Sequence, residues 1–159
     1  MAIELSPQDR EILALMQRDS SLTTQQIADR IHMSQSPCWR RINRLQEAGI
    51  ISHQVAILNR EKLGMEVVVF ATVNLSTQGR NNLEAFEQQV MLFPEVIECY
   101  TMAGAWDYML KIVTRDIRHY ERFVREKLTT LEHIRELHSH IAVTEIKNTT
   151  ELPLDTQLS

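Results

Sequence analysis

SQSPCWRRINRLQEAGII, residues 34–51, is the stretch that decides how the first third of this chain folds. Cys38, Ile42 and Leu45 recur at helical spacing and lie within about 60° of arc, so they form the buried face of one helix. Ser34 stands at the N-cap position, and Gly49 stands where the helix should end. The opposite side carries hydroxyl, amide and guanidinium groups, which suit phosphates and the base edges of a DNA major groove.

The charge distribution favours the same kind of partner. The formal net charge of the chain is −4, yet three arginines occur within residues 40–44. Residues 1–60 carry seven Lys/Arg and six Asp/Glu, whereas the remaining 99 carry ten and fifteen. A basic helix in an acidic chain predicts a polyanionic partner for the N-terminal part. We expect that partner to be double-stranded DNA.

Two shorter helices are predicted upstream of the basic helix, from a start signal at Ser6 and a capping box at Thr23 and Gln26. His32 and Met33 then turn the chain. Two short helices joined by such a turn, the second one basic and outward-facing, form a helix-turn-helix. The predicted DNA-binding residues are Ser34, Gln35, Ser36, Arg40, Arg41, Asn43 and Arg44.

Trp39 lies at the edge of the buried face of the basic helix. We expect its indole ring to pack against the neighbouring helix or the segment that follows. Stacking on the DNA backbone is the alternative.

The rest of the chain predicts an α+β domain. Its pattern has the order β-α-β-β-α-β, which gives an antiparallel sheet with both helices on one face. The predicted elements are a strand over 65–75, a helix over 81–93, strands over 95–102 and 107–115, a helix over 117–128 and a strand over 134–146.

The predicted fold class is therefore α+β. An N-terminal helix-turn-helix (winged-helix-like) domain is joined by an extended linker to a βαββαβ ferredoxin-like plait. The predicted boundaries are 1–50 for the first domain, 51–64 for a linker strand and hinge, 65–150 for the plait, and 151–159 for a tail without a predicted role.

Both faces of the first plait strand are apolar, since Val67 and Val69 alternate with Val68 and Phe70. Helices can cover only one of these faces. We expect a second copy of the chain to cover the other, because large exposed apolar patches mark interfaces. A homodimer also suits a two-fold DNA site.

Several other classes of protein lack support in the sequence. Cys38 and Cys99 lie within apolar patterns and are expected to be buried, reduced thiols in a cytoplasmic protein. No apolar run reaches the roughly 20 residues that cross a bilayer.

His138 and His140 share a strand face, but a zinc site needs three or four ligands, so no metal site is predicted. No nucleophile motif, carboxylate pair or phosphate-binding glycine loop indicates an enzyme, and no cofactor is expected.

Four motifs together resemble the Lrp/AsnC family, the leucine-responsive or feast/famine transcriptional regulators. They are SxSPC at 34–38, RINRLQEAGII at 41–51, LNREKLG at 58–64 and GAWDY at 104–108. The resemblance covers about residues 6–150, although the family usually has glycine where this chain has His32. It implies a ligand-sensing plait, dimers that often assemble into octamers, and a response to amino acids.

By the same resemblance, the effector site lies around the loop between the second and third plait strands. Main-chain N–H groups near Gly104 could hold an α-carboxylate, and Asp107 could pair with an α-ammonium group. The alternative is that both residues only form the turn. The apolar Met102, Ala105 and Trp106 favour leucine or methionine as effector. The predicted effector-binding residues are Thr101, Met102, Ala103, Gly104, Asp107, Tyr108, Thr129 and Thr130.

We therefore expect a sequence-specific DNA-binding transcriptional regulator whose DNA binding or assembly responds to an amino acid. The alternative is a ligand-indifferent architectural DNA-binding protein of the same fold. A pocket between dimers that includes Gly104 and Asp107 would favour the first interpretation.

Overall fold

The computed structural model describes residues 4–76 and 80–154, except for the side chains of residues 80 and 81. The chain forms two compact units. The N-terminal unit runs to Ile57 and includes the residues from Lys147 onward, and the sheet unit is Leu58–Ile146. Within the described ranges, no helix is both long enough and apolar enough to cross a membrane.

The N-terminal unit contains three helices, α1 (Pro7–Arg18), α2 (Thr24–Arg30) and α3 (Gln35–Glu47). Both of the first two helices begin with a capping box, in which the cap side chain accepts the N3 amide and the N3 side chain accepts the cap amide. These reciprocal bonds satisfy amides that a helix start leaves unpaired. The predicted starts at Ser6 and Thr23 are confirmed.

The core of the N-terminal unit lies where the apolar faces of the three helices meet. Ile12, Ile27, Cys38 and Leu45 are almost completely buried there. Burial of each large aliphatic side chain contributes about 1.5–3 kcal/mol. The unit therefore has its own hydrophobic core, and the predicted buried face of α3 is confirmed.

The turn between α2 and α3 depends on His32, whose φ of 53° is in the left-handed region that favours glycine. Met33 donates its amide to the Ala28 carbonyl at 2.9 Å and so closes the turn. The helix-turn-helix thus forms with a histidine at this position, at the cost of local backbone strain.

The sheet unit is a four-stranded antiparallel sheet with strand order β2-β3-β1-β4. This is the predicted βαββαβ arrangement. Its elements are β1 (Val67–Leu75), α4 (Arg80–Val90), β2 (Val96–Thr101), β3 (Tyr108–Thr114), α5 (Ile117–Glu126), a 3-10 turn (Leu128–Thr130) and β4 (Ile134–Ile141).

Alternate residues of β1 point to opposite faces of the sheet. Val69, Ala71, Val73 and Leu75 are buried in one hydrophobic core with Phe86 of α4 and with Tyr120 and Phe123 of α5. Val68, Phe70 and Thr72 therefore lie on the face away from the helices, as do their cross-strand neighbours Met109, Lys111 and Val113.

The linker differs from the sequence-based expectation. Residues 52–59 form no strand within the described chain, and a turn follows at residues 60–64. The apolar alternation of the segment allows an extended backbone, but a strand also needs a partner to complete its ladder of hydrogen bonds. Val55, Ile57 and Leu58 accordingly remain exposed.

The chain returns to the N-terminal unit at its C-terminal end, where residues 149–154 form what we call the strap. The Gln17 amide donates to the Leu152 carbonyl at 3.0 Å and accepts the Leu152 amide at 2.9 Å. Arg10 donates to the Leu154 carbonyl at 2.8 Å, and Arg18 pairs with Glu151 at 2.6 Å. The strap is therefore held along α1. Residues 149 and 150 were predicted to belong to the plait and 151–154 to a tail without a role; residues 155–159 of that tail lie outside the described range.

The two cysteines differ in their exposure. Cys38 is buried in the core of the N-terminal unit, as expected, whereas Cys99 is exposed. The expectation of a buried thiol at position 99 was wrong, because Cys99 lies on β2, which is at one edge of the sheet.

Candidate functional site

The outward face of α3 forms a shallow basic depression of about 310 Å³, lined by Pro37, Arg40, Arg41 and Arg44. Arg40 is exposed and has no ion-pair partner among the described residues. Its guanidinium group is available to an anion. Three guanidinium groups around one concave surface match the spacing and charge of a nucleic-acid backbone.

Arg41 and Arg44 differ from Arg40, because the carboxylate of Asp9 on α1 binds both of their guanidinium groups. Arg41 Nη1 donates to Oδ1 at 2.9 Å, and Arg44 Nη2 donates to Oδ2 at 2.6 Å. Asp9 is fully buried, whereas the side chains of Arg41 and Arg44 remain 31% and 55% exposed. Each arginine therefore presents part of its guanidinium group to the outside from a fixed position.

The same carboxylate also completes the cap of α1. Asp9 Oδ2 accepts the Ser6 amide at 3.0 Å and the Ser6 hydroxyl at 2.7 Å. Burial by itself would raise the pKa of Asp9, but the hydrogen bonds from Ser6 and Arg41 and the charge of Arg44 outweigh it and hold that pKa below its usual range. Asp9 therefore stays ionised at neutral pH.

Protonation of Asp9 should destabilise the N-terminal unit. Because its folded-state pKa lies below the ordinary value of 3.8, the contribution of this carboxylate is complete above about pH 4–5 and is lost as the pH falls through the folded-state pKa. We expect the free energy of unfolding to fall more steeply in acid for the parent than for Asp9→Asn. Urea unfolding followed by Trp39 fluorescence in a Trp106→Phe background measures this, and equal acid dependence of the two proteins would contradict it.

The start of α3 presents a second group of polar side chains. Ser34 occupies the predicted N-cap position, but its hydroxyl makes no capping hydrogen bond. Ser34, Gln35 and Ser36 are exposed, and Asn43 is half-buried. A helix N-terminus with unsatisfied amides and nearby hydroxyl groups attracts a phosphate.

Trp39 corrects one of the expectations from the sequence. Its side chain is 55% exposed, so the expected packing against a neighbouring helix or the following segment is wrong. Position 39 is far enough around the helix from the Cys38–Ile42–Leu45 stripe for the indole to leave the core. The indole instead offers an apolar surface next to Arg40.

The loop between β2 and β3 exposes main-chain amides. Met102 donates its amide to the Asp107 carbonyl at 2.9 Å, which closes the loop. The N–H groups of Ala103, Gly104 and Ala105 have no acceptor within the described part of the chain. Gly104 has a φ of 141°, and open space lies where a Cβ would stand. Only glycine adopts this backbone conformation readily.

Asp107 and Asn74 fasten this loop to the end of β1. Asp107 Oδ2 accepts the Leu75 amide at 2.8 Å, and the Asn74 amide donates to the Ala105 carbonyl at 3.0 Å. Asn74 in turn accepts the Asp107 amide at 3.0 Å. The sequence reasoning missed Asn74, although it is the one amide side chain in a strand whose other residues, apart from Thr72, are apolar.

The remaining predicted effector residues occupy different environments. Thr101 and Met102 are exposed at the end of β2. Thr129 and Thr130 are exposed on the 3-10 turn, where their hydroxyls donate to the carbonyls of Arg125 and Lys127. The side chain of Tyr108 is only 1% exposed; it packs on Phe86 and donates its hydroxyl to Glu87 at 2.8 Å. Tyr108 therefore supports the core, and its ring is not accessible to a ligand.

Trp106 lies against His138 of β4, with 4.6 Å between the ring centroids. His138 is one of the two histidines that suggested a metal site. Its ring packs on this aromatic neighbour.

Two family models match this chain. A model described as winged helix-turn-helix DNA-binding matches residues 5–52, and a model described as Lrp/AsnC ligand binding domain matches residues 68–152. Together they span both compact units. The first covers α1 to α3, and the second covers the sheet from the second residue of β1 onward.

Curated relatives are similar over almost the full length. The transcriptional regulator AzlB of Bacillus subtilis is 37% identical over 155 residues, which are 98% of this chain and 99% of that protein. The proline dehydrogenase transcriptional activator of Rhizobium radiobacter is 36% identical over 89% of this chain and 90% of its own length. The name of each relative describes a regulator of transcription.

Solved structures agree with this likeness. An AsnC family transcriptional regulator from Agrobacterium tumefaciens superposes with a TM-score of 0.92 at 39% identity, over 97% of this chain and 100% of that one. A transcriptional regulator from Neisseria meningitidis in complex with L-Met has a TM-score of 0.92 at 31% identity, over 96% and 98% of the two chains.

Proposed function

The chain belongs to the Lrp/AsnC family of transcriptional regulators, and from that premise we propose that it reads a specific DNA site through α3 and senses a hydrophobic amino acid through its sheet unit. A helix-turn-helix DNA-binding domain and a ligand-binding domain are both present. The observation that carries the DNA part of the proposal is the basic depression on α3, with three guanidinium groups around one concave surface.

We assign the DNA contacts as follows. Arg40, which has no partner on the described chain, contacts a base edge or a phosphate in the major groove. Ser34 and the free amides at the start of α3 hold a phosphate. Arg41 and Arg44 contact DNA with the part of each guanidinium group that Asp9 leaves exposed. Supporting contacts come from Gln35, Ser36 and Asn43.

For the effector we propose an α-amino acid bound at the β2–β3 loop. Its carboxylate accepts the unpartnered amides of residues 103–105, and its ammonium group pairs with Asp107 Oδ1, since Oδ2 is used by Leu75. Met102 and Trp106 provide apolar contacts, and Thr101, Thr129 and Thr130 lie at the margins. The L-Met complex of the Neisseria meningitidis relative supports methionine as the first candidate, with leucine as the second.

The assembly that we propose is a homodimer formed through the sheet face opposite the helices, which associates further into an octamer. Phe70, Met109 and Val113 lie on that face and are only half-buried in the single chain. Pairing two such faces removes apolar surface from water and is favourable. Light scattering with and without amino acid measures the molar mass of the assembly.

The effector proposal is tested on DNA. Binding to the protein's own promoter region is followed by fluorescence anisotropy at two salt concentrations, with each of the twenty amino acids added in turn. Methionine should shift the affinity by about 5–150-fold, the usual size of an allosteric coupling. Asp107→Asn keeps an acceptor for Leu75 but loses the charge, so it should remove the shift and leave binding without ligand unchanged. A normal methionine response in this variant would contradict the assignment.

The architectural protein remains the second candidate function. It is favoured by the hydrogen bonds that join the β2–β3 loop to β1, because Asp107 and Asn74 already have partners within the sheet unit. Tight, salt-sensitive DNA binding that none of the twenty amino acids alters would favour this candidate over the sensor.

A further inference from the structure

Asp9 makes more contacts than the cap of α1 requires. A capping box needs the N3 side chain only for the cap amide, and Ser6 supplies that amide here. Besides the Ser6 hydroxyl, the carboxylate has contacts that reach 32 and 35 residues along the chain, to Arg41 and Arg44. Arg41 Nη1 also donates to the Ser6 hydroxyl at 3.0 Å. One buried anion therefore joins the cap of α1 to two of the three arginines of α3.

This arrangement divides the arginines into two kinds. Arg40 is exposed and has no ion-pair partner among the described residues, whereas Asp9 already holds the guanidinium groups of Arg41 and Arg44 before DNA binds. An arginine that becomes fixed only during binding loses side-chain entropy, and this loss opposes binding. The buried carboxylate also cancels one positive charge directly behind the basic depression, which weakens the attraction of this surface for any polyanion.

We propose that Asp9 is a positioning residue for DNA sequence discrimination. It orients Arg41 and Arg44 for contact with one site and limits sequence-independent attraction to phosphates. The two effects have different physical origins, since base readout depends on geometry and phosphate attraction depends on charge. This inference rests on the proposed function, in which α3 contacts DNA.

The test compares two duplexes of equal length. One is selected from a random-sequence library by the parent protein, and the other is unselected. Asp9→Asn should bind the unselected duplex more tightly and the selected duplex less tightly. The ratio of the two affinities should fall by about tenfold or more, the size of one lost bidentate base contact. The slope of log affinity against log salt for the unselected duplex should steepen by about 0.9 for each phosphate gained.

Two matched variants separate this role from simpler ones. Glu11→Gln removes one negative charge from the exposed face of the same helix, so it should change both affinities alike and keep their ratio. Ser6→Ala removes the cap hydroxyl, and with it the Arg41 Nη1–Ser6 hydrogen bond, but keeps both Asp9–arginine ion pairs. It should lower the urea midpoint of the N-terminal unit and reduce the ratio much less than Asp9→Asn does.

Each outcome bears on the proposal. A fall in the ratio that is much larger for Asp9→Asn than for either matched variant would support it. An Asp9→Asn ratio equal to that of the parent, or a fall of the same size in Ser6→Ala, would overturn it. Trp39 fluorescence could also show that the N-terminal unit of Asp9→Asn is unfolded. That result would overturn the proposal as well, because Asp9 would then serve the fold alone. If the parent selects no sequence at all, the proposed function fails instead.

Discussion

Replacing Phe123 by alanine should destabilise the sheet unit by about 3–5 kcal/mol, the loss typical of a large aromatic side chain removed from a packed core. Phe123 is almost fully buried on α5 and meets the ring of Phe93 edge-to-face, with 5.6 Å between centroids. Lys127 Nζ lies 5.6 Å from the centre of the same ring. Since whole domains are stable by only about 5–15 kcal/mol, this variant should leave the sheet unit marginally folded.

Urea unfolding followed by Trp106 fluorescence in a Trp39→Phe background measures the effect on the sheet unit. The control is Ile117→Ala, a truncation on the same helix at a side chain that is 48% exposed, and it should change stability by about 1 kcal/mol or less. Equal effects of the two substitutions would show that Phe123 does not belong to the core. Phe123→Ala should also abolish the amino-acid response that we propose, because the β2–β3 loop is built on the strands of that core.

Replacing Arg40 by alanine should weaken binding to the preferred DNA site by about 1–3 kcal/mol, or roughly 5–150-fold. Arg40 is the arginine of α3 with no acidic partner on the described chain, so its whole guanidinium group is available to DNA. If it contacts a base edge, discrimination at one position of the site should relax. If it contacts a phosphate, all sequences should lose affinity alike and the salt slope should become shallower.

Fluorescence anisotropy on the selected and unselected duplexes measures both effects. Arg118→Ala is the matched control, since it removes the same charge from an exposed position on the sheet unit and should change affinity by less than about twofold. An Arg40→Ala protein that binds both duplexes as the parent does would remove Arg40 from the DNA interface.

The elements that sequence reasoning predicted correctly are those with local signals. The starts of α1 and α2 follow from side chains three residues apart, as at Ser6 and Asp9 or Thr23 and Gln26. The apolar face of α3 follows from a repeat within eight residues. The order of strands and helices in the sheet unit follows from segments that each carry their own periodicity.

The features that the sequence did not predict depend on contacts between distant parts of the chain. Nothing in the sequence marks the pairing of Asp9 with Arg41 and Arg44, because these arginines lie more than 30 residues away along the chain. The exposure of Trp39 depends on where neighbouring segments lie, which the angle around one helix does not determine. The strap on α1 consists of residues without any periodic pattern, and its backbone is recognised by the side chains of Gln17 and Arg10.

The strap also sets the order in which the protein can be completed during synthesis. A ribosome makes the three helices of the N-terminal unit first, and domains generally fold as they emerge. The residues that bind Gln17 and Arg18 are translated after the whole sheet unit. A chain ended by a premature stop codon before residue 149 would therefore carry a helix-turn-helix whose α1 lacks the contacts of the strap.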